Sequence, residues 1–442
     1  MNKLQEYLNA HDISEIHPSD IAKILKQLDD REFAEALKLV PKDLLGDVTL
    51  ALPDRYFDDV IENLSVDELC HAVAELESDD QADFMQELEE LDETKASEVF
   101  ETLHVDDQEE ITKLKNYEED EAGSYMQLEV FTAYKDEKVE DVIKKFAQLR
   151  KANELENIQN LFIINEDDKL RYAIGLDDLL IFDFAKTLRE NIINSGDSFE
   201  PKTANDTDDI KEVVHQFEEY DLSVIPIVNI YGILVGRITS DDIYDIIQDG
   251  ATEQMYNLAG VDDEAEEDDD IIEAGRTRAT WLSLNLLTAI AASFVIALFA
   301  DTIESIVALA ILMPIVASMG GNAGTQSLTV VVRQLALGEI SQGDAMRIIK
   351  KEVLISLGNG AVFAIIMGLI AAVWFDIDML GVVIALSMLI NLLMAGFFGA
   401  TIPLFLKKMD IDPAIGSTVI LTTITDVVGF FSFLGLATYI LL

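Results

Sequence analysis

Residues 414–442, AIGSTVILTTITDVVGFFSFLGLATYILL, form an apolar run of 29 residues with one ionisable side chain, Asp426. About 20 residues rising ~1.5 Å each cross the hydrocarbon layer of a bilayer, so the run predicts a transmembrane helix. An ionised carboxylate near the middle of such a helix costs at least ~2.5 kcal/mol on insertion scales unless it faces protein, water or a cation. Thr422 and Thr418 precede Asp426 by four and eight residues, on the same helical face, and Thr423 and Thr425 add further hydroxyls. The plain alternative is a structural carboxylate satisfied by a neighbouring threonine or a basic partner in the bundle. No Lys or Arg lies within any of the apolar cores, so the expectation is a cation path marked by the acid.

Working outward, four more apolar spans precede this one, at about 280–300, 303–337, 353–375 and 380–406. Arg276 and Arg278 precede the first; Arg333, Arg347, Lys350 and Lys351 follow or close the second; Lys407 and Lys408 separate the fourth from the fifth. The connections after the first and third spans hold only Asp301, Glu304, Asp376 and Asp378. All eight bases then fall on one side of a five-span arrangement, which places the N-terminal part inside and the C-terminus outside. The second span is long and contains PIVASMGGNAGTQSLT (314–329). Its Gly320, Gly321 and Gly324 suit either close helix packing or backbone lining a wet cavity. Asn322, whose amide needs partners at membrane depth, is expected at a pore or subunit interface.

The chain has 442 residues, too many for one core, and carries 83 acids against 31 bases, a net charge of −52. Only ten acids and eight bases follow Gly275, so the first 275 residues hold 73 acids and 23 bases. Such a surface repels nucleic acid and anionic lipid and attracts cations; no nucleic-acid partner is expected. It is also what a merely well-solvated surface looks like. Cys70 is alone, so no disulfide closes within the chain, and its amphipathic surroundings suggest a buried, inert thiol. The five histidines, His11, His17, His71, His104 and His215, show no zinc-like spacing. The start, MNKLQEYLNAHD, has no apolar signal segment, which is expected to keep the acidic part in the cytoplasm.

Residues 1–122 read as short helices, with apolar positions three and four apart (Ile21, Ile24, Leu25, Leu28; Phe33, Leu37, Val40). Breaks are expected at Pro41, Pro53 and the pairs Asp79-Asp80 and Asp106-Asp107. A unit returning every 15 to 20 residues (DIAKILKQLDD, EFAEALKLVPKD, YFDDVIENLS and onward) predicts a helical superhelix. From residue 123 short β-runs alternate with helices, and the pattern occurs twice. DVIKKFAQL and LFIINEDDKLRYAIGLDDLL are echoed by EVVHQFEEY and VIPIVNIYGILVGRITSDDIYDII. The helices are 71 residues apart (Val142, Val213) and the closing acids 64 (Asp178, Asp242), so the first copy carries about seven extra residues, assigned to RKANELEN (150–157). Residues 248–275 join this region to the membrane as a connecting helix, with eight acids among the nine residues 262–270.

The tandem helix–strand–turn–strand–helix pattern resembles a pair of cystathionine-β-synthase (CBS) domains, at 123–183 and 184–247. That resemblance implies a disc-like pair that dimerises and senses a ligand, often an adenosine nucleotide held by a Thr or Ser three residues before an Asp. Thr239 and Asp242 fit this in the second copy; the first has Gly175 in place of the threonine.

Taken together, an acidic superhelix (1–122), two CBS copies, a connecting helix with ATEQMYNLAG, and a five-helix membrane domain (276–442) with MGGNAGTQ and STVILTTITDVVG resemble the MgtE family of magnesium channels along essentially the whole chain. The resemblance implies a homodimer in the inner (plasma) membrane, its pore running between the two fifth helices. It places the pore aspartate on Asp426, an adjacent carbonyl donor on Thr422 and, where the family has Asn, Thr418. It implies regulatory Mg2+ ligands at Asp221, Asp242, Asp245 and Glu253, with Gln254 where an acid is expected. Mg2+ is the implied ion and ATP a possible modulator; lipid and divalent cations are the other partners. Mg2+ dehydrates reluctantly and is held by few carboxylates with its waters kept, which suits a wide pore with one acid per chain. The rival reading is a secondary transporter of Mg2+, Co2+ or Mn2+ coupled to protons or sodium, although five spans show no halving into repeats. A tethered sensor without a pore is a further alternative. A CBS-containing enzyme is disfavoured, since no catalytic domain remains once the spans are assigned.

Overall fold

The computed structural model describes residues 2–11, 15–152, 155, 157–261, 271–340, 343–409 and 411–442. The acidic run 262–270 and part of the 150–157 insertion lie outside them. The chain divides into two compact units, residues 1–247 and 248–442.

The first unit opens with short amphipathic helices: α1 (Asn2–Ala10), α2 (Pro18–Leu25), α3 (Asp30–Leu37), α4 (Leu45–Leu50), α5 (Phe57–Asn63), α6 (Val66–Ala74), α7 (Ser78–Leu91), α8 (Glu93–Thr102) and α9 (Val105–Leu114). Each buries one apolar stripe in a shared core that includes Ile21, Leu25, Phe33, Val60, Leu69 and Phe84. The pairs Asp79-Asp80 and Asp106-Asp107 are not breaks but occupy the first turns of α7 and α9. Carboxylates are favourable at these positions because the exposed N–H groups and the helix dipole attract negative charge. Cys70, on α6, is partly buried, and burial pushes its thiol above the ordinary range.

Two three-stranded sheets follow. In the first, β1 (Thr132–Tyr134) pairs parallel with β2 (Asn160–Ile164), which pairs antiparallel with β3 (Leu170–Gly175). In the second, β4 (Ala204–Asn205), β5 (Val224–Val228) and β6 (Leu234–Thr239) repeat that order and polarity. The hairpins match atom for atom: Asn165 Oδ1 accepts from Asp167 N and Lys169 N at 3.1 and 2.8 Å, and Asn229 Oδ1 from Tyr231 N and Ile233 N at 3.0 and 3.1 Å. Asp168 (φ 57°) stands where the second copy has Gly232 (φ 76°), an aspartate in the left-handed conformation that glycine adopts without strain. Leu170 N donates to Gly232 O at 3.1 Å and Leu234 N to Asp168 O at 3.1 Å, so the two hairpins pair with each other. Helix α10 (Val139–Lys151) is followed by eight residues before β2, whereas α13 (Ile210–Tyr220) is followed by three before β5. The extra residues of the first copy therefore fall in that connection. Helices α11 (Leu176–Ile181) and α12 (Leu188–Ser195) follow β3, and Leu179 and Leu188 join the core of the first copy. Ala82 of α7 and Leu114 of α9 enter the core of the second copy beside Val213, Ile225 and Ile238, so superhelix and CBS copy share buried surface. Helix α14 (Ser240–Ala259) begins inside the second copy, eight residues earlier than the connecting helix read from sequence, and ends at Ala259, just before Gly260 (φ 71°).

In the second unit five helices are long and apolar enough to cross a membrane: spans one to five lie within Ile271–Ala297, Ala308–Ala336, Ala345–Phe375, Asp378–Lys408 and Ser417–Leu441. Span two continues unbroken through Pro314 and the paired glycines. The glycines divide by role: a Cβ on Gly320 would collide with the Asn391 amide and one on Gly324 would stand 3.0 Å from Leu421, whereas Gly321 faces open space. Gly320 and Gly324 are thus close-packing positions for spans four and five.

Candidate functional site

Asp426 lies midway along span five, half-buried. Among the described residues its carboxylate has no hydrogen-bond or ion-pair partner; the nearby threonines turn their hydrogens elsewhere. Thr422 Oγ1 donates to Thr418 O at 2.9 Å, Thr423 Oγ1 to Val419 O at 2.7 Å and Thr425 Oγ1 to Thr422 O at 3.1 Å. A Ser or Thr hydroxyl that donates to its own backbone presents lone pairs outward. The stripe therefore offers oxygen acceptors and one carboxylate, which is chemistry for a cation rather than for a carboxylate seeking donors. The structural alternative for Asp426, satisfaction by a threonine or a base of its own chain, is not what the helix shows.

Thr418, one turn nearer the start of span five, donates to Leu258 O at 3.0 Å, in the last turn of α14. Asn322 is exposed on span two, and its Nδ2 lies 3.3 Å from Ser318 Oγ. No hydrogen bond joins it to Asp426; it lines a cavity between spans two and three instead.

A second concentration of acids lies in the first unit, where α7 meets the second CBS copy. Ser78 N and Oγ donate to the Glu129 carboxylate at 3.1 and 2.8 Å, fixing the start of α7. This brings Glu77, Asp79 and Asp80 close to Asp242. Burial, and then the neighbouring charges of Asp80 and Asp242, hold the Asp79 carboxyl well above the usual range. Burial, Asp242 and Asp83 push Asp80 up to about 7; burial, working against the nearby Arg237 charge and helped by Glu129 and Asp242, pushes Glu77 up to about 7. Asp242 is raised by burial, against hydrogen bonds at 3.2 and 2.9 Å from Thr239 N and Oγ1. Glu77 Oε1, Asp79 Oδ1 and Gln127 Oε1 are buried acceptors that meet no donor. Arg237, 1 % exposed, is the one buried Lys or Arg among the described residues, and it donates to Asn157 O at 3.0 Å and Gln159 Oε1 at 3.3 Å. Orphaned oxygens and mutually raised carboxyls describe a place short of positive charge. Among the described residues no three Asp, Glu, His or Cys side chains converge tightly enough to chelate a metal directly, so an ion here would keep part of its water.

Of the regulatory residues read from sequence, only Asp242 lies in this cluster. Asp221 caps α13 in a left-handed conformation (φ 51°) and is exposed; Asp245 is exposed one turn beyond Asp242 on α14. Glu253 accepts from Asn257 Nδ2 at 3.4 Å, with Gln254 beside it. Thr239 is 1 % exposed, and its hydroxyl bonds Asp241 and Asp242 rather than facing an open pocket. Sequence reading missed Glu77, Asp79, Asp80 and Arg237, which become a group only when α7 docks.

An acidic helical domain, paired CBS domains and five helices long and apolar enough to cross a membrane define a multi-pass membrane protein. Residues 313–436 match the family model described as a divalent cation transporter, MgtE; residues 16–120 match the MgtE intracellular N domain, and 122–184 and 197–249 match the CBS domain. The chain is 29% identical over 429 residues to the magnesium transporter MgtE of Bacillus subtilis, covering 96% of this chain and 92% of that protein. It is 29% identical over 435 residues to the magnesium transporter MgtE of Thermus thermophilus, covering 97% and 94%. The crystal structure of the cytosolic domain of the Mg2+ channel MgtE in complex with ATP is similar at 28% identity and a TM-score of 0.49, over 55% of this chain and 98% of that one. The chain belongs to the MgtE family of divalent cation transporters.

Proposed function

We propose that this protein is a homodimeric Mg2+ channel whose two Asp426 carboxylates face a shared pore, and that Mg2+ on the cytoplasmic side closes it. The observation that carries the proposal is Asp426 itself: a half-buried carboxylate in the middle of a membrane span, without a partner among the described residues. A second copy across a two-fold axis supplies an aqueous route and a second carboxylate, and a Mg2+ ion between them keeps its inner waters while the threonine oxygens receive their hydrogens. Relatives at 29% identity over nearly the whole chain carry the name magnesium transporter, which supports the choice of ion.

Closure follows from the acid cluster. With little Mg2+ inside, Glu77, Asp79, Asp80 and Asp242 repel and α7 undocks; Mg2+ bridging them through water restores the docked state. The helix that carries Asp242 in its first turn carries Leu258 in its last, where Thr418 of span five bonds it. Moving such a switch from 1:99 to 99:1 takes ~5.5 kcal/mol of differential binding. Several weakly bound ions supply that by mass action. In this arrangement the N-terminal unit is cytoplasmic and the C-terminus outside, in the inner (plasma) membrane, and Thr239, buried and bonded to Asp241 and Asp242, gives the expected ATP site no open pocket. The test is Mg2+ flux into liposomes holding the purified protein. Flux should follow the Mg2+ gradient alone and fall when Mg2+ is raised on the cytoplasmic face. Flux that requires an opposing proton or sodium gradient would instead establish the coupled transporter.

A further inference from the structure

Glu352 stands in span three with its side chain inside the membrane unit, and only 6 % of the residue is exposed. Its Oε2 accepts from Ser327 Oγ of span two at 2.9 Å, and no ion pair involving Glu352 forms among the described residues. Spans three and four pack closely here because Gly396 of span four leaves room: a Cβ there would collide with Ser356 Oγ and stand 3.0 Å from the Glu352 backbone carbonyl. The carboxylate lines a cavity of about 650 Å³ between spans two and three, together with Asn322, Gln326, Ser327, Ser356 and Asn359. Lys351 also borders the cavity, but its exposed side chain is screened by water, whereas Glu352 is not. A charged group at such a position is costly unless it has work with a cation or proton.

We infer that this cavity is a second cation station of the membrane unit, taking a hydrated divalent ion with Glu352 as its one charged ligand. Six waters at about 30 Å³ each fit a space of this size with room to spare, and the amides and hydroxyls on its walls suit outer-sphere contact with an ion that keeps its shell. The inference deepens the proposed Mg2+ conduction and rests on it for the identity of the ion. Asn322, assigned from sequence to a pore or interface, gains a role here, on the wall opposite Glu352.

The test is occupancy, read without transport. In full-length protein carrying Cys70→Ser and Asn359→Cys, reconstituted in liposomes, the new thiol reacts with N-ethylmaleimide, a neutral reagent. Mg2+ at ten times its dissociation constant should slow that reaction about tenfold, since only about a tenth of the sites stay empty. Adding Glu352→Gln should abolish the protection and Glu352→Asp should keep it, while Asp426→Asn should leave it intact. Protection that survives Glu352→Gln, or that disappears with Asp426→Asn, would overturn the assignment, because the effect would then come from gating or from the ion at Asp426. Absence of protection in the parent would overturn it too. Failure of Mg2+ flux with protection retained would count against the proposed channel and leave the station standing.

Discussion

The two units of this protein carry acid in opposite ways. Residues 1–275 hold 73 acidic side chains, most of them on solvated helix faces, whereas the membrane part holds ten and places one, Asp426, alone in its final span. Abundance does not locate function in either unit. What singles out Asp426 in one and Asp79 in the other is the same condition: a carboxylate drawn away from water and left with an unmet oxygen among the described residues. Asp426 is identified by an absence of partners, and Asp79, 5 % exposed, by an orphaned oxygen and like-charged neighbours. The comparison also separates two tasks. On the proposed reading the lone acid passes an ion on, whereas the crowd of acids converts ion concentration into shape.

The sharpest way to break this contrast is Asp426→Ala. If the single acid carries conduction, Mg2+ uptake should fall by at least about a hundredfold, the rate equivalent of ~2.7 kcal/mol, in a magnesium-requiring growth assay and in liposome flux. Uptake at the parent level would remove the carboxylate from the pathway. The acid cluster predicts a different kind of change. In Asp79→Asn with Asp80→Asn, α7 docks without an ion, so the ratio of uptake at low and high internal Mg2+ should shrink about tenfold, or ~1.4 kcal/mol of lost differential binding. An unaltered ratio would place sensing elsewhere.

Thr418→Ala tests the point where α14 meets span five. Loss of its hydrogen bond to Leu258 O is worth ~1 kcal/mol, so the balance of closed to open should move about fivefold toward open while the conducted current per channel stays unchanged. A change in conductance without a change in gating would make Thr418 a pore ligand only. The smallest effect is on stability. Glu77 and Asp80, at about 7, and Asp79 hold protons in the folded state that the unfolded chain releases near the ordinary carboxylate range. Folded pKa values raised in this way penalise the fold as pH climbs from about 4 to about 7, so acidification stabilises. In chelator, the melting temperature of the first unit should rise on going from pH 8 to pH 5.5, at about 2–4 °C per kcal/mol recovered. Mg2+ at pH 8 should produce the same rise, and the Asn double variant, which keeps Glu77, should show a smaller rise in both cases.

Much of the architecture was legible because its signals are local. Apolar runs of membrane length, three-and-four periodicity and a repeated hairpin with Asn165 and Asn229 in matching places need no tertiary information. Asp426, the proposed pore acid, stood out for the same reason: one charge in an apolar run is conspicuous. The acid cluster was not, because Asp79 and Asp80 are two among 73 acids and look like a helix boundary until α7 docks on Glu129. Nothing in the sequence marks Arg237 within its strand, and only the fold buries it. Glu352 was missed because it follows Lys350 and Lys351 and so joins a charged connection rather than the apolar run starting at Val353. A usable signal was present all the same: Glu352, Ser356 and Asn359 recur at helical spacing, as do Asn322, Gln326 and Thr329 on the facing span.

The claim on which the account stands is that a lone acid in each of two chains guides a hydrated divalent ion down its own gradient. Current through the purified protein in a planar bilayer, with Mg2+ as the only permeant cation and no proton or sodium gradient, tests this most directly. The account predicts discrete openings that reverse at the Mg2+ equilibrium potential and vanish in Asp426→Ala. Silence without a coupling gradient, or openings that persist in the alanine variant, would contradict it.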